Sequence, residues 1–175
     1  MKKLMLLSAV LLSALSVSAQ RTQVSASYGA SSAMYHMGAY SHNWHDVNGW
    51  GAVNFTVDHK FIPNLWLGLS YTYSSGSSNN AVGNHYGEVT WHALMVNARY
   101  EWYSRGPLKL YSHAGVGALV QYYTPSWSPS YNRSSFAFQV SPVGAEVSLL
   151  GRLGVFAEVG YGVQGVAKIG IRLGF

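Results

Sequence analysis

Apolar and polar residues alternate along most of the chain after residue 20, which is the pattern of β-strands with one apolar face. One such segment runs from Leu65 to Tyr73, with apolar residues at every odd number and small or hydroxyl residues at most even numbers. Eight series of this kind occur, and their apolar members lie within residues 22–28, 53–57, 65–73, 94–102, 108–120, 136–147, 153–161 and 167–175. The pattern predicts an all-β protein of eight strands.

The connections between these segments predict how the strands are arranged. Tight turns alternate with long polar segments: the turns are 61–64, 104–107 and 149–152, and the long segments lie near 30–47, 75–86 and 123–134. An antiparallel meander places all its short turns at one end and all its long loops at the other. We therefore expect an eight-stranded antiparallel up-and-down barrel. The sixth series changes parity near Pro142, which predicts a β-bulge because proline cannot donate to a strand ladder.

The positions of the charged residues indicate which face of each strand points inward. Most charges share the polar positions of their strands. A lipid-facing Arg or Lys at mid-bilayer costs roughly 2–4 kcal/mol, whereas a soluble barrel would carry its charges outside. An eight-stranded barrel is just wide enough for side chains to fill it, and buried charges have to be paired. We therefore predict a transmembrane barrel with a lumen plugged by a charge network of Arg99, Glu146, Glu158, Lys168 and Arg172.

Composition narrows the class of protein further. Charged residues make up only 10% of the chain and aromatic residues 14%, and cysteine is absent, which excludes disulfides and thiol chemistry. The pI near 9.5 is not accompanied by a Lys/Arg cluster, so no nucleic acid partner is expected. Aromatic residues gather near both ends of the predicted strands, like the two interfacial girdles of a membrane barrel. The group near the long-loop ends is Tyr28, Trp50, Tyr71, Tyr73, Trp91, Tyr122, Tyr123, Phe136 and Tyr161.

Residues 1–19 have the features of a removable signal peptide, which leaves 20–175 as one barrel domain. Two lysines precede a short apolar run, and Val17-Ser18-Ala19 offers a small-residue cleavage site before Gln20. The apolar run is shorter than a typical membrane-spanning helix. The sequence therefore predicts export from the cytoplasm.

With this leader, its eight alternating segments and the terminal stretch VAKIGIRLGF, the chain resembles the small outer-membrane barrels of the OmpA transmembrane-domain and OmpX-like group. The resemblance covers the whole mature chain and implies a multi-pass β-barrel among the lipids and lipopolysaccharide of a Gram-negative outer membrane. It also implies that the barrel-assembly machinery recognises a C-terminal aromatic residue that follows alternating apolar residues. The matching residues are Ile169, Ile171, Leu173 and Phe175. The resemblance points to a fold and a location rather than to an activity.

The first long loop holds several side chains that could bind a metal ion or an external ligand. His36, His42, His45 and Asp46 could ligate Zn or Cu, or contact an external ligand. Their spacing matches no specific metal motif, so we expect a hydrated surface loop, with no bound metal and no cofactor. Exposed aromatic side chains in the loops are suited to contact with polysaccharide or a host surface protein. These features favour a structural or surface-interaction role.

Two other classes of function remain as alternatives. Some eight-stranded outer-membrane barrels acylate or deacylate the lipid of lipopolysaccharide. Ser112 and His113 are adjacent, so on a strand they point to opposite faces and cannot form a nucleophile–base pair. The deacylase motif His-x-Ser-Asn is absent, and we expect no enzyme. The second alternative is a secreted soluble barrel whose apolar residues surround a ligand. The strand count disfavours a conducting pore.

Overall fold

The computed structural model describes residues 22–35, 46–79, 85–126, 129–149 and 151–175. Nine β-strands lie within these ranges: β1 Thr22–Ala30, β2 Asp46–Gly49, β3 Ala52–Ile62, β4 Leu65–Asn79, β5 His85–Arg105, β6 Leu108–Pro125, β7 Tyr131–Ser148, β8 Leu153–Gly162 and β9 Ala167–Gly174. The predicted signal peptide lies outside the described residues, as do three residues of the candidate metal site, His36, His42 and His45.

Eight of the nine strands close into an antiparallel ring. β1 pairs with β3 and β9, each later strand from β3 onwards pairs with its successor, and the pairing of β4 with β5 completes the ring. Among the described residues, the short strand β2 pairs only with residues 76–79 of β4, and it continues the line of β3 beyond a break at Trp50 and Gly51. This ring confirms the predicted eight-stranded up-and-down barrel.

The tight turns and the bulge lie where the sequence predicts them. Pro63 and Asn64 join β3 to β4, and Gly106 and Pro107 join β5 to β6. Asn64 (φ 73°) and Gly106 (φ 58°) adopt the left-handed conformation that such tight reversals require. The register between β7 and β8 shifts between Val140 and Val143, on either side of Pro142, which confirms the predicted bulge.

Two of the predicted long loops are mostly strand, so the sequence-based boundaries there are wrong. β4 continues to Asn79 and β5 begins at His85, inside the segment expected to be a loop near 75–86. In the same way β6 continues to Pro125 and β7 begins at Tyr131. Hydrophobic alternation fades in these extensions, so periodicity alone did not predict them. The strands persist there through backbone pairing with their neighbours.

Apart from its loop end, the barrel wall carries apolar side chains outside and mainly polar side chains inside. Leu69 (57% exposed), Leu94 (60%) and Val96 (58%) point outward, whereas the alternate residues Asn97 and Arg99 are buried in the lumen. This is the reverse of a soluble barrel and matches the predicted faces. The described residues contain no helix that is long and apolar enough to span a membrane.

The barrel interior and mouth as the candidate functional site

Glu146 on β7 lies at the centre of the first charge cluster in the lumen. Its carboxylate accepts hydrogen bonds from Arg99 Nη1 at 3.2 Å, from Lys109 Nζ at 3.0 Å and from Arg172 Nη1. Glu101 adds a second carboxylate, 3.5 Å from Arg99 Nη2. Three cations from three different strands therefore converge on one buried acid.

Glu158 on β8 lies at the centre of a second cluster. Its carboxylate contacts Lys168 Nζ at 2.7 Å and His113 Nδ1 at 3.3 Å, and it accepts a hydrogen bond from the Tyr111 hydroxyl at 2.9 Å. The Lys168 ammonium group also donates to Gln164 Oε1 at 2.7 Å. The lysine thus has both a charged and a neutral acceptor, which is how a buried ammonium group is tolerated.

The ring of Tyr111 connects the two clusters. The guanidinium carbons of Arg99 and Arg172 lie 5.2 Å and 5.3 Å from its centroid, and its hydroxyl donates a hydrogen bond to Glu158. Each guanidinium also lies over a second ring, Arg99 over Trp66 at 4.8 Å and Arg172 over Phe156 at 4.4 Å. Such cation–π contacts offset part of the hydration energy that the buried cations lose.

The structure brings Arg99, Glu146 and Arg172 into one cluster and Glu158 with Lys168 into the other. Sequence reasoning missed Lys109 and Tyr111 as members of these clusters. The available signal was parity, because both share the odd-numbered face of β6 with His113.

A layer of neutral amides lies beside the charge clusters and includes the connection between β8 and β9. Gln164, in that connection, is fully buried, and its side chain donates to Ser70 Oγ at 3.0 Å. Its backbone N–H donates to Gln139 Oε1 at 2.9 Å, and its carbonyl accepts from Asn54 Nδ2 at 3.3 Å. This short connection therefore folds into the lumen, which its length alone did not predict.

Apolar side chains fill the loop end of the lumen. This apolar plug consists of Met34, Ala52, Val89, Trp91, Ala93, Met95, Leu119, Tyr123, Ala137 and Val163, with Tyr35 packed against it. The prediction that Trp91 and Tyr123 belong to the outer aromatic girdle is wrong, since they are 0% and 2% exposed. Trp91 shares the parity of Met95 and Arg99, so strand alternation already placed it inside.

Residues 31–35 fold across the mouth and complete the apolar plug. Ser32 Oγ donates to the Val163 carbonyl at 2.7 Å, and the Ala33 N–H donates to the Gly162 carbonyl at 3.0 Å. The Tyr35 hydroxyl accepts from the Gly51 N–H at 2.7 Å, and its ring lies 5.4 Å from the ring of Trp91. The start of the first loop is thus tied to the inside of the barrel.

Little space remains among the charge clusters. The cavity bounded by Asp58, His113, Glu158 and Lys168, among others, measures about 10 Å³. This volume is about what a single water molecule needs.

Within the described ranges, the remaining candidate residues do not come together in one site. Ser112 Oγ donates outward to the Pro142 carbonyl at 2.6 Å, whereas His113 faces Glu158 in the lumen. Asp46 begins β2, and no group of three or more metal-ligating side chains occurs within the ranges that the structure describes. The C-terminal residues Ile169, Ile171, Leu173 and Phe175 are all exposed on the outer face of the last strand and its end.

Comparison with known proteins was made by sequence and by structure. No family model and no curated protein matches the sequence. The chain is similar in structure to the N-terminal β-barrel domain of Pseudomonas aeruginosa OprF, with 16% identity and a TM-score of 0.51 over 90% of this chain and 100% of that one. It is also similar to Neisserial surface protein A, with 15% identity and a TM-score of 0.59 over 90% and 98% of the two chains.

A third similar structure is Ail of Yersinia pestis in complex with the heparin analogue sucrose octasulfate, with 13% identity, a TM-score of 0.50 and coverage of 89% and 95%. At these identities the likeness is one of fold. Together with the closed eight-stranded ring and its apolar outer face, it shows that the chain has the fold of the small outer-membrane β-barrels.

Proposed function

We propose that the protein is an integral barrel of the outer membrane with a closed interior and a structural or surface-interaction role, without catalysis. The observation that carries this proposal is the filling of the lumen by side chains. Two charge clusters, a layer of amides and an apolar plug leave a cavity of about 10 Å³ among the charges. A continuous path for hydrated solutes would require several of these contacts to break together.

Conductance measurements test the closed interior. In planar lipid bilayers, the folded protein is expected to give no steady ion conductance, because the ion pairs of Glu146 and Glu158 block the lumen. A porin inserted in the same bilayers serves as the positive control, and the gel mobility before boiling establishes that the sample is folded. Stable channels from a folded sample would contradict the closed lumen and favour a conducting role.

We also propose that residues 1–19 are removed on export and that Ile169, Ile171, Leu173 and Phe175 form the recognition signal for the barrel-assembly machinery. The expected mature protein begins at Gln20, fractionates with outer membranes and changes its gel mobility on boiling. Mass spectrometry and envelope fractionation with heated and unheated gels check these points. A soluble periplasmic or secreted product would contradict the proposal and favour the ligand-binding alternative.

The surface role is supported by the length of β4, β5, β6 and β7. These strands continue beyond the apolar outer face and form a projecting wall there. These four strands have 15, 21, 18 and 18 residues, whereas a tilted membrane-crossing strand needs about 9–11. Ail was solved with a sulfated heparin analogue. For the present chain we propose contact with an external partner through this wall and its loops.

A further inference from the structure

A cleft lies on the outer face of the projecting wall, beside the break between β2 and β3. Its lining includes Asn48, Trp50, Ser75, Ser77, Glu88 and Thr90, and its volume is about 310 Å³. The two serines have the parity of the outward Leu69, which places them on the outer face. Small-ligand sites measure about 300–1,000 Å³, so this cleft suits one small group of a ligand. We refer to it as the outer cleft.

The strand register fixes the height of the outer cleft above the apolar outer face. Leu94, which is 60% exposed, is the last aliphatic side chain on the outer parity of β5 toward the loop end. The next outward residue is His92, paired with Tyr73, and after it comes Thr90, paired with Ser75. At about 3.3 Å per residue, Thr90 lies about 13 Å along the strand from Leu94. The outer cleft therefore lies beyond the aliphatic and aromatic rows and opens to water.

The indole ring of Trp50 is held in place at one side of the outer cleft. It stacks on the ring of Tyr28 with centroids 6.0 Å apart, and its Nε1 donates to Ser75 Oγ at 2.8 Å. The Tyr28 hydroxyl in turn donates to the Trp50 carbonyl. The Trp50 side chain is nonetheless 46% exposed. It is therefore a fixed apolar platform, which a ligand can contact without first ordering a flexible side chain.

The polar groups of the outer cleft carry a single negative charge. Ser77 pairs with Asn48 on one side and with Glu88 on the other, so these three side chains form one row across the outer face. Glu88 is exposed, and no lysine or arginine is among the described residues that line the cleft. A carboxylate accepts hydrogen bonds from hydroxyl groups, but it repels sulfate and phosphate groups. The chemistry of the cleft therefore suits an uncharged, hydroxyl-rich ligand.

We propose that the outer cleft binds an uncharged pyranose unit of an external glycan. The C–H face of the sugar ring packs on Trp50, because the face of an aromatic ring is negative and attracts polarised C–H groups. Two neighbouring hydroxyls of the sugar donate to the Glu88 carboxylate, and hydrogen bonds to a charged acceptor are the stronger kind. This inference rests on the proposed function, since it requires the wall to stand outside the membrane.

Charge and backbone pairing disfavour the other occupants of the outer cleft. A sulfated glycan, or the phosphorylated sugars of lipopolysaccharide, would bring anions next to Glu88 with no cation in the described lining to compensate them. A basic peptide would satisfy Glu88. However, β4 and β5 pair with each other through this region, so their backbone groups offer a peptide no free partners there.

The test uses saturation-transfer NMR with the refolded barrel in phosphatidylcholine nanodiscs that contain no glycoside detergent. The probes are the methyl glycosides of glucose, galactose, mannose and N-acetylglucosamine at millimolar concentration. At least one of them is expected to receive saturation at its ring protons. Trp50→Ala and Glu88→Gln are each expected to weaken that binding by about tenfold or more, since the first removes the platform and the second the charged acceptor.

Trp102→Ala is the matched control, because Trp102 is 50% exposed at the opposite end of β5 and its loss is expected to leave sugar binding unchanged. Trp50→Phe retains an aromatic face and is expected to keep most of the affinity. Four results would overturn the proposal: no transfer to any of the four glycosides, equal losses from Trp50→Ala and Trp102→Ala, displacement of the sugar by lipopolysaccharide added to the nanodiscs, or tighter binding of sucrose octasulfate or tetralysine at the cleft. A sample that fails fractionation or the boiling shift contradicts the proposed function instead.

Discussion

Replacing Glu146 with alanine is expected to lower the free energy of unfolding by about 3–5 kcal/mol, the range found when one partner of a buried ion pair is removed. The carboxylate is 3% exposed and accepts from Arg99, Lys109 and Arg172. Without it, two fully enclosed guanidinium groups would lie next to each other. Glu101 would still lie 3.5 Å from Arg99, but it forms no ion pair with Arg172.

Urea-induced unfolding in detergent micelles or lipid vesicles measures this effect, with gel mobility or tryptophan fluorescence as the readout. Glu88→Ala is the matched control, because Glu88 lies on β5 with an exposed side chain. That control should change the unfolding free energy by less than about 0.5 kcal/mol. Glu146→Gln keeps the shape and loses the charge, so it should be destabilising as well. Equal small effects of Glu146→Ala and Glu88→Ala would show that the cluster contributes no net stability.

The fold and the orientation of the strand faces were predictable from the sequence because a barrel strand has a strict two-residue period. Arg99 and Arg172 lie on the polar parity of apolar strands, and the structure buries both. The partners within the lumen were harder to predict. Lys109 faces Glu146 and Glu158 faces Lys168 directly across neighbouring strands, so correct register would suffice for these pairs. Arg99 and Arg172, on β5 and β9, reach Glu146 across the curvature of the closed ring.

The apolar plug was not predicted, because aromatic residues near strand ends are typical of an interfacial girdle, whereas strand parity places Trp91 inside the barrel. Trp91 looks like a girdle residue by composition, yet it alternates with His92, which faces outward and bonds the Tyr71 hydroxyl at 2.6 Å. The inward folding of residues 31–35 was not accessible from periodicity at all. It depends on tertiary contacts such as those of Tyr35 with Gly51 and Trp91.

Placing arginine at Leu69 is expected to cost about 2–4 kcal/mol in unfolding free energy, because its guanidinium group would enter the lipid. Leu69 is 57% exposed on the outer face, and its cross-strand partners Val57 and Val96 are 45% and 58% exposed. Each of these apolar side chains lacks protein cover on the outside, so lipid is the surrounding phase that keeps them from water.

Thr124→Arg is the matched control for Leu69→Arg. Thr124 is exposed on the outer face of β6, beyond the apolar belt, and arginine there should cost about 0–1 kcal/mol. The unfolding free energy of both variants is measured in vesicles of the same lipid, so that only the depth of the substituted side chain differs. In a soluble barrel both positions would face water, and the two arginine variants would be equally mild. A difference of about 2 kcal/mol or more between them therefore requires lipid around Leu69, independently of any likeness to known barrels.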